Sequence, residues 1–159
     1  MKFNQICFNL FRAILIIAFV FLIFQHMISG DEEVRPKGLP YDRGLYGFNL
    51  TSGFNERRGK GIHGAWDIAL PTNTPLYATM PGQVIMKINS IAGGFVSIKY
   101  GRFEVTVCHI SEPTVLSGFE VKYGQLIGYS GSTGESTGPH VHYTIRENGI
   151  PVQPQRFMK

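Results

Sequence analysis

Cysteine is scarce in this chain of 159 residues: only Cys7 and Cys108 occur, one on either side of a long apolar run, and there is no CxxC. That excludes a disulfide framework and a thiolate metal site, and leaves Cys108 to pack as a small apolar residue. A strong charge bias is missing too. Lys2 and Arg12 supply two of the four net positive charges, and residues 31–159 hold 13 basic against 11 acidic side chains. With no basic cluster interleaved with aromatics, nucleic acid is excluded as a partner. No repeat and no sustained helical period appears, and the length suits one domain.

What the chain has in quantity is glycine, proline and apolar residues. Nineteen glycines and nine prolines, without a long polar tract, indicate many turns between short strands. A hydrophobic content of 43%, with 13% aromatics, is enough for a buried core.

Ala13 to Phe24 is an unbroken apolar run of twelve residues, "AILIIAFVFLIF". This length fits the core of a signal peptide and is short for a membrane span, although extension back to Ile6 would reach. Lys2 and Arg12 precede it and Asp31-Glu32-Glu33 follow it. The expectation is that the N-terminus stays inside and the rest is exported, to the periplasm or the cell exterior. Residues 1–30 are thus a cleaved signal or a retained anchor, and residues 31–49 a linker or entry segment.

From Leu76 onward the pattern is β. "LYAT" and "QVIMKI" are separated by Met80-Pro81-Gly82, and "FVSIKY" and "FEVTVCHI" by Gly101-Arg102. "QLIGYS" and "VHYTI" follow, and Asn148-Gly149 provides a last turn. The fold expected is mainly β: a compact antiparallel sheet domain with a substrate groove.

Strand alternation places Val141, Tyr143 and Ile145 on one face and His140, His142, Thr144 and Arg146 on the other. The two histidines project together, about 7 Å apart. His109 ends the alternate set Phe103, Val105 and Val107, at the mouth of a groove. His63 stands four residues before Asp67, a spacing that a helix or a bend into a short strand would serve equally. His26 borders the apolar run. Two histidines, one carboxylate and an open position are what a hydrolytic zinc needs, since a bound water then has a pKa near about 7. Two further histidines could accept its proton and stabilise an oxyanion. Chemistry alone leaves open which histidines are ligands.

The stretches "HGAWD", "CHIS" and, above all, "GQLIGYSGSTGESTGPHVHYTI" resemble the lysostaphin-type (M23, LytM-like) zinc metallopeptidases. "TSGFNERRG" resembles the family's opening segment, and the likeness runs from about Leu50 to Val152. It implies that His63, Asp67 and His142 bind zinc, that His109 and His140 are catalytic, and that residues 50–159 form the peptidase domain. It implies a substrate too: the stem-peptide cross-links or bridges of bacterial peptidoglycan. The alternatives are a wall-binding or regulatory domain without activity and a peptidase with a non-wall substrate. Ala65 and Asn55 stand where the family usually has glycine, and Val107 where it often has tyrosine. Loops 89–94 and 111–120 are expected to wall the groove, and loop 131–138 to shape it beside His140. Trp66 is expected in the core and Arg146 in solvent.

Overall fold

The structure is a computed structural model that describes residues 16–17, 34–59 and 61–158. Met1–Glu33 and Val34–Lys159 are separate units. Of the first, only Ile16 and Ile17 are described, both helical, so the leader or anchor expected there lies outside the described residues. Among the described residues no helix is long and apolar enough to cross a membrane.

The second unit is mainly β, as its alternating sequence requires. Its strands are β1 (Leu50–Ser52), β2 (Arg57–Arg58), β3 (Gly61–Ile62), β4 (Trp66–Ala69), β5 (Pro75–Tyr77) and β6 (Gly82–Asn89). There follow β7 (Gly93–Tyr100), β8 (Phe103–Pro113), β9 (Glu120–Val121), β10 (Leu126–Ser130), β11 (His140–Glu147) and β12 (Ile150–Val152). One antiparallel sheet runs in the order β1-β4-β11-β8-β7-β6-β9. β12 adds to β11, and β10 joins β5 to the far end of β8. β2 and β3 form a small separate hairpin.

Two turns form where their residues permit positive φ. Gly101, first in the β7–β8 loop, has φ 54°, and Asn148 and Gly149, between β11 and β12, have φ 52° and 79°. Two consecutive left-handed residues match the right-handed twist of a hairpin. These turns hold the register that puts Glu147 opposite Phe103 and Ile150.

That register sends one face of β11 into the core. Val141, Tyr143 and Ile145 are fully buried, with Ile68, Val105, Val107, Ile98, Leu76 and Ile127 around them. Each such side chain contributes about 1.5–3 kcal/mol through burial. Trp66 is buried and its ring meets that of Phe48 at 5.3 Å, so the expected core role holds. The segment before β1 packs on this core through Val34, Leu39 and Tyr46, and contains a four-residue helix, Arg43–Tyr46. The buried Tyr143 hydroxyl reaches across to it, 3.2 Å from the Gly38 carbonyl and 3.0 Å from Thr79 Oγ1.

Candidate active site

The site grows from one row of residues across three strands. Asp67 of β4 lies opposite His142 of β11, which lies opposite Cys108 of β8. Cross-strand partners share a face, so all three side chains point away from the core that Tyr143 enters. His140 joins them two residues along β11, as the alternation predicts.

His63 arrives by the second of the two routes left open by its spacing. It follows β3, and the chain bends through Gly64 and Ala65 into β4, with no helix. A side chain at Gly64 would press on Pro151, its Cβ only 3.0 Å from that of the proline. The Ala65 methyl is wholly buried.

His109 is placed by an irregularity that simple alternation misses. Val96 pairs with Val107 and Gly94 with Ile110, so β8 carries one residue more than β7 between these pairs. The bulge falls at Cys108-His109, and His109 takes φ 63°. A bulge re-aims side chains, and positive φ at a non-glycine residue costs of the order of 1–3 kcal/mol. Ile110 therefore rejoins the core, while His109 leaves the row of Phe103, Val105 and Val107 to line the cleft. The expectation that His109 continues that alternate row is corrected by the bulge. Its position at a groove is as expected.

Five polar residues meet here. His63 Nε2 is 3.2 Å from His142 Nδ1 and 3.3 Å from Asp67 Oδ1, and His142 Nδ1 is 2.8 Å from the same oxygen. The rings of His109 and His140 lie 4.4 Å apart, and that of His109 lies 6.2 Å from that of His142. His63, Asp67 and His142 form a group that could hold a metal ion. Tetrahedral zinc with bonds of about 2.0–2.1 Å places neighbouring ligand atoms about 3.3 Å apart, so the spacing and the two-nitrogen, one-oxygen donor set fit.

The nitrogen facing away from each cluster is fixed by backbone. His63 Nδ1 is 3.0 Å from the Gly53 carbonyl and 3.2 Å from Ser52 Oγ, which in turn bonds the Glu56 carboxylate. A proton on Nδ1 leaves the lone pair of Nε2 to face Asp67 and His142. His109 Nδ1 donates to the Thr133 carbonyl at 2.7 Å, and His140 Nδ1 to that of Gly138 at 2.8 Å. Nε2 is then the nitrogen each presents for chemistry. Burial holds the pKa of both His63 and His109 below the usual histidine value, despite the carbonyl each bonds. Burial raises that of Asp67, but hydrogen bonds from His142 and Arg58 outweigh it and leave the carboxylate strongly acidic. Cys108 is pushed up to about 12, chiefly by burial, and stays a protonated thiol in the cleft floor.

Three contributors were not legible in the sequence. Arg58 of β2 donates to Asp67 Oδ2. Thr133 supplies the carbonyl that holds His109, and its hydroxyl bridges the Gly94 N–H at 3.1 Å and the Ile110 carbonyl at 2.9 Å across the bulge. The Ser52–Glu56 pair stands behind His63. Ser52, Glu56 and Arg58 fall within the stretch "TSGFNERRG", but nothing in that stretch singles them out. Loop 131–138 is locked rather than free: Gly134 packs so closely on the turn of loop 89–94 that a Cβ would lie 2.2 Å from the Gly93 nitrogen. Ile91 and Ala92 line the cleft. Segment 111–120 is instead tied to β6, where Ser117 Oγ accepts from the Met86 N–H and Gly118 N–H donates to Val84.

Residues 61–154 match the family model described as Peptidase family M23. The chain is 37% identical over 117 residues to the peptidoglycan DD-endopeptidase ShyA of Vibrio cholerae, a match covering 69% of this chain and 27% of that protein. The chain thus spans about a quarter of the length of the curated relatives it matches. A crystal structure of a zinc-containing peptidase from Vibrio cholerae superposes with TM-score 0.68 and 30% identity, covering 76% of this chain and 39% of that one. The catalytic domain of a prophage-encoded M23 protein, EnpA of Enterococcus faecalis, superposes with TM-score 0.61 and 39% identity, covering 68% and 89%.

Proposed function

The chain belongs to peptidase family M23, and from that premise we propose that it is an exported zinc endopeptidase that hydrolyses peptide cross-links of bacterial peptidoglycan. In this reading His63, Asp67 and His142 hold the zinc, and His109 and His140 are the catalytic histidines. The observation that carries it is the close approach of His63 Nε2, Asp67 Oδ1 and His142 Nδ1, at 2.8–3.3 Å. When bound, the metal supplies an acidified water and polarises the scissile carbonyl.

The protein's own groups handle the protons. With Nδ1 of His109 and of His140 each committed to a carbonyl, Nε2 is an acceptor in the neutral ring. One of these two atoms takes the proton of the attacking water and returns it to the leaving amine. The other ring, 4.4 Å away, stabilises the oxyanion in its protonated form, with Nε2–H as the donor. Proton transfer of this kind is worth on the order of 10²–10⁴ in rate. Ala69, Ala92 and Gly138 line the cleft and leave room for a peptide backbone to lie close to the histidines.

The substrate rests on the peptidoglycan DD-endopeptidase ShyA, to which this domain is 37% identical. The envelope location rests on the same relative and on the charge-flanked apolar run 13–24. Accordingly, residues 1–30 act as leader or anchor and residues 50–159 as the peptidase domain. The test is to incubate the purified, zinc-loaded full chain with peptidoglycan from several wall types and weigh the fragments by mass spectrometry. Chelator-sensitive release of peptide fragments is expected. Stoichiometric zinc without cleavage of any wall overturns the reading.

A further inference from the structure

The two oxygens of Asp67 face different partners. Oδ1 meets His63 Nε2 and His142 Nδ1, while Oδ2 accepts from Arg58 Nη2. Resting on the metal-site reading above, we infer that Arg58 is a positioning residue that makes Asp67 a one-oxygen ligand. With Oδ2 engaged by the guanidinium, the carboxylate cannot turn both oxygens towards the metal, and one coordination position stays open for water and substrate.

The placement of Arg58 fits this role better than that of an ordinary ion pair. An ion pair this exposed adds little stability, since the Arg58 side chain is 45% exposed. The carboxylate, however, is only 9% exposed and lies in a strand held on both sides, so its remaining freedom is rotation about its own side-chain bonds. A single donor on Oδ2 removes that freedom. The β2–β3 hairpin that carries Arg58 is itself anchored at the site: the Asn55 N–H donates to the His63 carbonyl and the His63 N–H to that of Glu56, each at 2.8 Å. Arg58 thus completes a set of outer partners, with Gly53 and Ser52 orienting His63 from the same segment. Such partners fix the direction of a ligand's lone pair, and their loss typically costs about 10- to 100-fold in metal affinity or activity.

The experiment uses the full chain stripped of metal and reloaded with cobalt(II), whose visible bands weaken as coordination rises from four to five. Arg58→Met keeps most of the stem and removes the donors. It is expected to show weaker cobalt bands than wild type and a peptidase rate lower by about 10- to 100-fold. Arg58→Lys, which keeps the charge and one donor group, is expected to fall between the two spectra. Cobalt bands of Arg58→Met identical to those of wild type overturn the inference alone. A wild-type chain that takes up no cobalt or zinc overturns the metal-site reading, and the inference with it.

Discussion

The rings of His109 and His140 stand 4.4 Å apart, and each gives its Nδ1 to a backbone carbonyl. Neither ring touches Asp67, whereas His142 contacts it at 2.8 Å. This separates two pairs of histidines by the company they keep. His142→Ala is expected to lose both bound metal and activity, because a donor atom disappears. His140→Ala is expected to keep near-stoichiometric metal and lose about 10²–10⁴ in turnover. Metal analysis of both purified variants, beside a peptidoglycan cleavage assay, checks the division. Equal metal loss in the two would sink it.

The hold of Thr133 on His109 gives a second expectation. A Cβ at Gly134 would lie 2.2 Å from the Gly93 nitrogen and 2.5 Å from the Ile91 carbonyl, at φ 73°. Gly134→Ala must therefore lift loop 131–138 from the turn beneath it, and the Thr133 carbonyl with it. Metal content should stay whole while turnover falls at least about tenfold, the loss expected on the proposed reading when one of the two catalytic histidines loses its orienting partner. Thr133→Val keeps the carbonyl and removes only the hydroxyl bridge, so its loss should be smaller. A Gly134→Ala chain with wild-type turnover would show that the loop does not position His109.

Much of this arrangement is legible in the sequence. Period-two alternation gave the face shared by His140 and His142, because β11 is regular and its other face is buried from Val141 through Tyr143 to Ile145. Asn148-Gly149 and Gly101-Arg102 gave their turns, because positive φ restricts which residues can sit there. His109 was read on the wrong row of β8, because a bulge changes the count by one and leaves no mark in composition. Asn55 is instructive in the other direction. It stands where the family resemblance leads one to expect glycine, and its φ of 67° is one that asparagine tolerates better than other non-glycine residues. Arg58 was missed because its nine-residue separation from Asp67 spans a hairpin and a bend that no periodicity describes, and Thr133 because it reaches from a loop to β7 and β8, distant in sequence.

The Tyr143 hydroxyl supplies a test of how the entry segment is held. It is fully buried between the Gly38 carbonyl and Thr79, and burial raises its pKa. Tyr143→Phe leaves the ring in place and strands both partners. A loss of about 1–3 kcal/mol is expected, read by denaturant unfolding, with metal content unchanged. A variant as stable as wild type would mean that the segment before β1 is held by its apolar contacts and its backbone hydrogen bonds to Thr79, Phe157 and Tyr77, without help from this hydroxyl.

The last expectation concerns pH and the metal-free protein. Burial lowers the pKa of His63 and His109 in the folded state, so the unfolded chain binds protons there more readily. Stability from these two groups is therefore fully present above the unfolded histidine value of about 6.5, and is lost as pH falls through the lower folded values. Asp67 has the same sign in a lower window. Its folded pKa lies well below the unfolded value of about 3.9, so its contribution holds above that pH and fades beneath it. The melting temperature of the metal-free chain should fall as pH drops from about 7 to 5, through the histidines, and fall again below about pH 4. His109→Gln, which has no titrating ring, should show a shallower first decline. A melting temperature that stays level between pH 7 and 5 would show that the two imidazoles are no harder to protonate in the fold than outside it.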